Sequence, residues 1–462
     1  MACVGSDCTT AQKGYRHLLA GEELFPFLGI HSVAMVELLP FPAVHYNFES
    51  ADLGRAIAPP YDQISPEMQD ELYRRSSHSF VQLIFGKILD NDTEGSNRYT
   101  RAADSLTAWL KDRILVKEDE PAFFLYEQNF SLKDSTTFTR LGLVGIMRLE
   151  PLGAGVLPHE QTFAKPKEDR LNLMKATKAN FEHVFFLYDD PQHFIRQMAS
   201  SYRLKQPILT CRDDQGTTHS IWMVRESEAL KNVAWFFKEK RLLIADGHHR
   251  YETSLTYQDE MKKIWCDSTS DDAPFNYRLG TFVSLQDPGL VILPTHRVLR
   301  PLTPEQGAAL EKELPGYFTM ADYPNLDSLH TELKSKKHAF GWITENRYRL
   351  LILKDSFDLR KEFHETPAVL RELDVFVLQQ LIFDRILNLP HDKLDQIISF
   401  VRWPEDVMKL IQSGSHQMAF LLNPAKPADV KAVAEAGEKM PHKSTDFYPK
   451  LWSGLLFYKM EF

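Results

Sequence analysis

Five consecutive residues, Asp246-Gly247-His248-His249-Arg250, put a carboxylate, a glycine, two imidazoles and a guanidinium in one turn. Glycine permits a tight turn. A turn that opens onto a helix aims free backbone N–H groups and the positive end of the helix dipole at whatever fills it. Such a turn suits an anion, and a phosphate above all. The backbone at Gly247 donates, and Arg250 can grip phosphate oxygens bidentately. A protonated His248 or His249 can donate to a bridging oxygen. Asp246 either orients a histidine or holds a magnesium ion through water. Upstream, His159-Glu160 follow a turn at Gly153 and Gly155 and form a candidate acid–base pair. Glu160 would take the proton from a hydroxyl nucleophile, most readily if burial raises its pKa. Phosphoryl transfer asks for this set: positioning, neutralisation of charge, and a group to orient the attacking oxygen.

Further candidates lie along the chain. Lys165, Lys167 and Arg170 alternate with Glu168 and Asp169, and Asn180 follows near the end of the same segment. A solvated helix face with salt pairs four residues apart explains these charges equally well. His296 and Arg297 sit where a strand ends, as an anion site or a surface pair. Lys443-Ser444-Thr445 and Lys450 bring lysines and hydroxyls together, without the upstream glycines of a P-loop. A rival reading pools His159, Glu160, Asp246, His248 and His249 as metal ligands. Neighbouring side chains diverge, so adjacent histidines rarely share a metal, and no tightly bound transition metal is expected. A further rival makes the Asp-Gly-His-His-Arg turn purely structural.

The elements that must position these groups follow from periodicity. Leu242-Leu243-Ile244-Ala245 is a short apolar run. Beyond the turn, Tyr251, Leu255, Tyr257 and Met261 recur at helical spacing, which gives strand, turn, helix. Residues 79–86, 122–130, 141–149, 185–188, 279–285 and 290–293 read as strands, and 454–458 as a strand near the chain end. Residues 98–113 read as a helix. Ser65 caps another that begins at Pro66, after a rigid turn at Pro59-Pro60-Tyr61-Asp62. Residues 340–343 and 349–353 form a hairpin around Asn346. The chain is α/β, and its expected segments are a disordered extension (1–34), an N-terminal α+β segment (35–150), a core carrying both motifs (151–265) and a C-terminal α+β domain (266–462).

Composition narrows the function classes. With 462 residues, 43% hydrophobic and 25% charged, the chain has the mix of a soluble protein of several domains. Lys plus Arg is 54 against 63 Asp plus Glu, a net charge of -9, which disfavours a nucleic-acid binder. The four cysteines, Cys3, Cys8, Cys211 and Cys266, form no CxxC pair, which fits a reducing, cytoplasmic setting. No apolar run approaches the ~18–20 residues of a membrane span, so no membrane partner is expected.

The motifs ADGHHRYETS, PHEQTFAKPKEDR with KANFEHVFFLYDD, PTHR and MPHKSTDFYPK, in that set and order, resemble one widespread family, the numbered domain of unknown function "ten-fifteen". The resemblance covers roughly Met35 to Phe462, and PPYD fits it too. More distantly, the order His159-Glu160, then strand-DGHHR-helix, is similar to the ParB/sulfiredoxin-like superfamily and especially to its free-serine kinases. That likeness implies a ParB/sulfiredoxin-like phosphate-binding core enlarged by N- and C-terminal α+β segments. It implies Glu160, with His159, as the catalytic base and Asp246 to Arg250 as a cradle for ADP or ATP with magnesium. The implied activity is phosphotransfer on a small hydroxylated metabolite such as serine, with Lys165, Asp169, Arg170, Asn180, His296, Arg297, Lys443, Ser444, Thr445 and Lys450 as candidates for the substrate. A phosphoserine phosphatase is the alternative, and a nucleotide-dependent binding protein of ParB type a further one. A sulfiredoxin would carry a cysteine at the position of His248.

Overall fold

The computed structural model describes residues 36–47, 50–162, 164–265, 270–334, 336–390 and 393–462. Residues 1–34, expected to be an extension, lie outside them. The chain divides into two compact units whose sequences interleave. One holds the described residues up to Pro158, then Thr162–Leu290 and Pro449–Phe462; the other holds His159–Gln161 and Val291–Tyr448.

The first unit is built on a mixed sheet of nine described strands. They are β1 (Leu38–Leu39), β2 (Phe123–Ser131), β3 (Thr137–Arg148), β4 (Val156–Leu157), β5 (Val184–Tyr188), β6 (Leu209–Arg212), β7 (Thr218–Val224), β8 (Leu242–Asp246) and β9 (Tyr277–Ser284). Their order is β4-β8-β5-β9-β3-β2-β7-β6, with β1 also on β3. The pairs β8–β4 and β9–β5 are parallel and the rest antiparallel. All residues of β5 and β9 are buried, as expected of central strands covered on both faces. Phe186 and Phe282 stack there at 5.1 Å. Gly280 makes room for that stack, since a Cβ on it would lie 2.8 Å from the Phe186 ring. Three helices of this unit matter below: α1 (Arg98–Lys111), α2 (Ala164–Thr177) and α3 (His248–Ile264). Among the described residues no helix is long and apolar enough to cross a membrane.

The second unit carries an antiparallel six-stranded sheet. Its strands are β10 (His296–Leu299), β11 (Phe318–Tyr323), β12 (Ala339–Thr344), β13 (Arg347–Leu353), β14 (Ile398–Val401) and β15 (Met418–Leu421), in the order β11-β13-β12-β15-β10-β14. The expected hairpin is the pair β12–β13.

Three expectations fail. Residues 79–86 contain a helical turn, Val81–Ile84, with Val81, Leu83 and Ile84 buried. A short apolar run satisfies a buried turn as well as a buried strand, and here the backbone closes on itself, Ile84 N donating to Phe80 O at 3.1 Å. Residues 454–458 do not form one strand: Gly454 takes φ 101°, Phe457 makes a single bridge to Val44, and the two-residue strand begins only at Tyr458. Finally, His296 and Arg297 do not close a strand; they open β10, after a break at Pro294-Thr295.

Candidate functional site

The strand-turn-helix forms as its sequence requires. Leu242 to Ala245 are buried in β8, Gly247 takes φ 95°, and α3 starts at His248, with Gly247 at the N-cap position and so no side chain there. Gly247 is required twice over. The positive φ disfavours any side chain, and a Cβ there would lie 2.9 Å from Nε of Arg250. The Arg250 guanidinium thus folds back over the turn. Its terminal nitrogens donate to Asp246 Oδ2 and to the carbonyl of His183. Lys450 Nζ donates to the other oxygen, Asp246 Oδ1, at 3.1 Å. The side chains of Arg250, Lys450 and Asp246 are 7%, 16% and 23% exposed. Burial pushes the Asp246 carboxyl up, but Lys450 and then Arg250 outweigh it and hold the pKa well below the usual carboxylate range. His248 is buried beside this pair and adds to the same effect, while His249 is half-exposed. The outcome is one negative and two positive charges fixed at the start of a helix.

Beneath the turn a second network joins elements distant in sequence. Glu182 Oε2 accepts from Arg170 at 3.2 Å, and its Oε1 accepts the amide of Tyr61 at 3.2 Å. Arg170 also donates to the carbonyl of Ile84 at 2.8 Å and lies 3.9 Å over the Tyr61 ring. The rigid turn at Pro59-Pro60-Tyr61-Asp62 is therefore the lid of a buried ion pair. Asp169 binds Arg170 at Nε, 2.8 Å, and accepts from Arg98 and Tyr99 of α1. Lys167 reaches Glu252 of α3 at 2.9 Å, and Lys165 is exposed. The charges of α2 thus pair with other elements, not along one solvated face. The side-chain Oδ1 of Asn180 accepts the amide of Leu279 at 3.2 Å.

In the second unit, His159 is fully buried and its Nε2 lies 3.0 Å from Oγ1 of Thr445. Thr445 in turn donates to Glu160 Oε1 at 3.4 Å, and Glu160 is 32% exposed. Met440 N donates to the His159 carbonyl at 2.9 Å, fixing the chain around this trio. Arg297 is buried and donates to the carbonyls of Thr295 and, at 3.1 Å, Lys443. Ser444 is spent on the carbonyl of Pro441, and Lys443 is exposed at φ 55°. His296 is fully buried; its Nδ1 accepts from Leu422 N at 3.3 Å and its Nε2 has no partner among the described residues. The surface-pair alternative for His296-Arg297 therefore fails, because both side chains point inward.

Burial holds His296 to a pKa of about 3. An unfolded histidine binds its proton near ~6.5, so the native state loses stability as pH falls from about 6.5 towards about 3. His183, buried and depressed to about 4, acts in the same direction in the first unit. Urea unfolding of the wild type between pH 7 and pH 4 is expected to show this decline, at up to about 1.4 kcal/mol per pH unit for each group. His296→Leu should flatten it, and equal slopes for variant and wild type would contradict the assignment.

Asp246 does not fit the role of a metal ligand. Each of its oxygens already holds a cation, and no group of three or more His, Cys, Asp or Glu among the described residues is placed to hold a metal ion. Any magnesium would have to arrive on the phosphates of a ligand.

The family described as "Protein of unknown function (DUF1015)" matches residues 38–376. The chain belongs to this family. Solved structures similar to it include a conserved hypothetical protein from Pyrococcus furiosus, at 13% identity and a TM-score of 0.32, covering 65% of this chain and 92% of that one. A free serine kinase in complex with AMP matches at 13% identity and a TM-score of 0.32, covering 66% and 88%. SbnI with a C-terminal truncation, from Staphylococcus aureus, matches at 10% and 0.32, covering 65% and 82%. Values this low transfer no residue roles. No curated protein matches the chain. Within this family member, sequence reasoning passed over Glu182, Arg278 and Arg140, the last packed over the Phe185 ring at 4.8 Å and fully buried. Their signal was a charged side chain inside or beside an otherwise apolar strand.

Proposed function

We propose that the turn from Asp246 to Arg250 binds the phosphates of a nucleotide, and that the protein is a phosphotransferase acting on a small hydroxylated metabolite such as serine. The observation that carries this reading is the pair of cations fixed on Asp246 at the start of a 17-residue helix whose N-cap position is held by Gly247, which has no side chain. A carboxylate that holds two cations in place leaves a net positive charge where the helix dipole is also positive. Gly247 and the first amides of α3 would supply donors. Lys450 and Arg250 would neutralise phosphate charge, and the half-exposed His249 would donate to a phosphate oxygen. Glu160 keeps the role of base given by the sequence resemblance.

The test incubates the purified protein with serine or phosphoserine, ADP or ATP, and magnesium, and follows phosphorus by NMR. Turnover and a nucleotide-dependent rise in melting temperature are expected. His249→Ala should lower turnover by about 100-fold or more with the fold retained, and Glu160→Gln should lower kcat with the nucleotide response unchanged. Release of inorganic phosphate from phosphoserine without nucleotide would make the protein a phosphatase. No turnover in any arm, with no nucleotide-dependent stabilisation, would overturn the reading.

A further inference from the structure

A cavity in the first unit, with about 30 Å³ of water-accessible space, is lined by Arg170, Arg250, Arg278, Glu182, Thr253 and Phe181 among others. Space of this size holds a few small atoms, not a nucleotide. Three guanidiniums around so small a space call for an account of their charges.

Two of the three are neutralised within the protein. Arg170 pairs with Asp169 and Glu182, and Arg250 with Asp246. Arg278 is different. It projects from β9, is 3% exposed, and has no carboxylate within 4.0 Å among the described residues. Its contacts are neutral: the carbonyl of Glu182, and Ser254 Oγ at 3.4 Å. Its Nε is buried with no acceptor among the described residues. His183, nearby, donates Nε2–H to the carbonyl of Leu456 at 2.8 Å and lies against Thr281 at 2.6 Å, so it brings no negative charge. The carboxylate that acts on Arg278, Glu182, is bonded to Arg170, so Arg278 is left short of counter-charge, which is unfavourable in a buried site unless something anionic reaches it. Burial draws the Arg278 pKa down to about 9, and the group is still charged at neutral pH.

We infer that this cavity is a binding site for a compact oxyanion, sized for a carboxylate, with Arg278 as its principal cation and Arg250 and Arg170 beside it. A carboxylate suits a guanidinium fork in shape and charge. Glu182 sets the selectivity: its own charge disfavours a dianion more than a monoanion. The site shares Arg250 with the proposed nucleotide turn, but its principal cation, Arg278, bonds neither Asp246 nor Lys450.

The experiment measures the melting temperature of the full chain at fixed ionic strength against rising formate, acetate, inorganic phosphate or chloride. A saturable rise with formate and acetate, larger than with phosphate, is expected. Arg278→Met should remove it while melting, without added anion, at or above the wild-type temperature, because the uncompensated charge is gone. Lys450→Ala should weaken the response to nucleotide and keep the response to formate, so that failure of this site and failure of the nucleotide reading are told apart. An absent response to every oxyanion, an equal response in Arg278→Met, or a chloride response as large as that to formate would each overturn the inference.

Discussion

Asp246→Ala is expected to unfold about 3–5 kcal/mol more easily than the wild type in urea at pH 7, the typical cost of removing one partner of a buried ion pair. With the carboxylate gone, Arg250 and Lys450 stay behind with side chains only 7% and 16% exposed. They then repel one another with nothing between them. Asp246→Asn, which keeps the shape and one acceptor, should lose less. A pH signature accompanies this. The folded-state pKa of Asp246 lies below the ordinary carboxylate value, so its contribution is complete above about 4 and drains away as pH falls further. The wild type should therefore lose stability faster than Asp246→Ala on acidification below about pH 4. Parallel acid limbs would show that the carboxylate is not the centre of the turn.

The second large effect is expected at Arg170. Arg170→Ala leaves Glu182, 5% exposed, with only the amide of Tyr61 as a donor. Asp169 keeps Arg98 and Tyr99, so Glu182 alone is stranded. A loss of about 3–5 kcal/mol is expected from Arg170→Ala. The double variant Arg170→Met with Glu182→Leu should recover much of it, since two apolar groups replace a pair that had to be desolvated. A thermodynamic cycle over the two sites should give a coupling of about 0.5–3 kcal/mol. Simple additivity would mean that the two side chains do not depend on each other.

Much of the turn was legible from sequence because three local signals agreed there: an apolar run, Asp-Gly, and helical spacing from Tyr251 onward. The strand begins at Leu242 as expected, and the helix runs three residues past Met261, to Ile264. What the sequence could not state was which charges meet. Lys450 reaches Asp246 across 204 residues, and Tyr61 reaches Glu182 across 121. No periodicity encodes such pairs. Residues 79–86 misled because aromatic and branched residues suit any buried backbone, and only the tertiary contacts decide between turn and strand. The strand assigned to residues 279–285 stopped one residue short of Arg278, so the charge inside it went unseen.

The order of synthesis follows from where the last segment belongs. Pro449–Phe462 completes the first unit, where Tyr458 pairs with Asn180 and Phe457 N donates to Val44 O at 2.9 Å. A ribosome therefore makes Asp246 and must read a further 204 codons before the lysine that neutralises it exists. At about 5–20 residues per second that is a wait of about 10–40 s. During it, the growing chain carries Asp246 with Arg250 alone, and the earliest-made unit is the one sealed last.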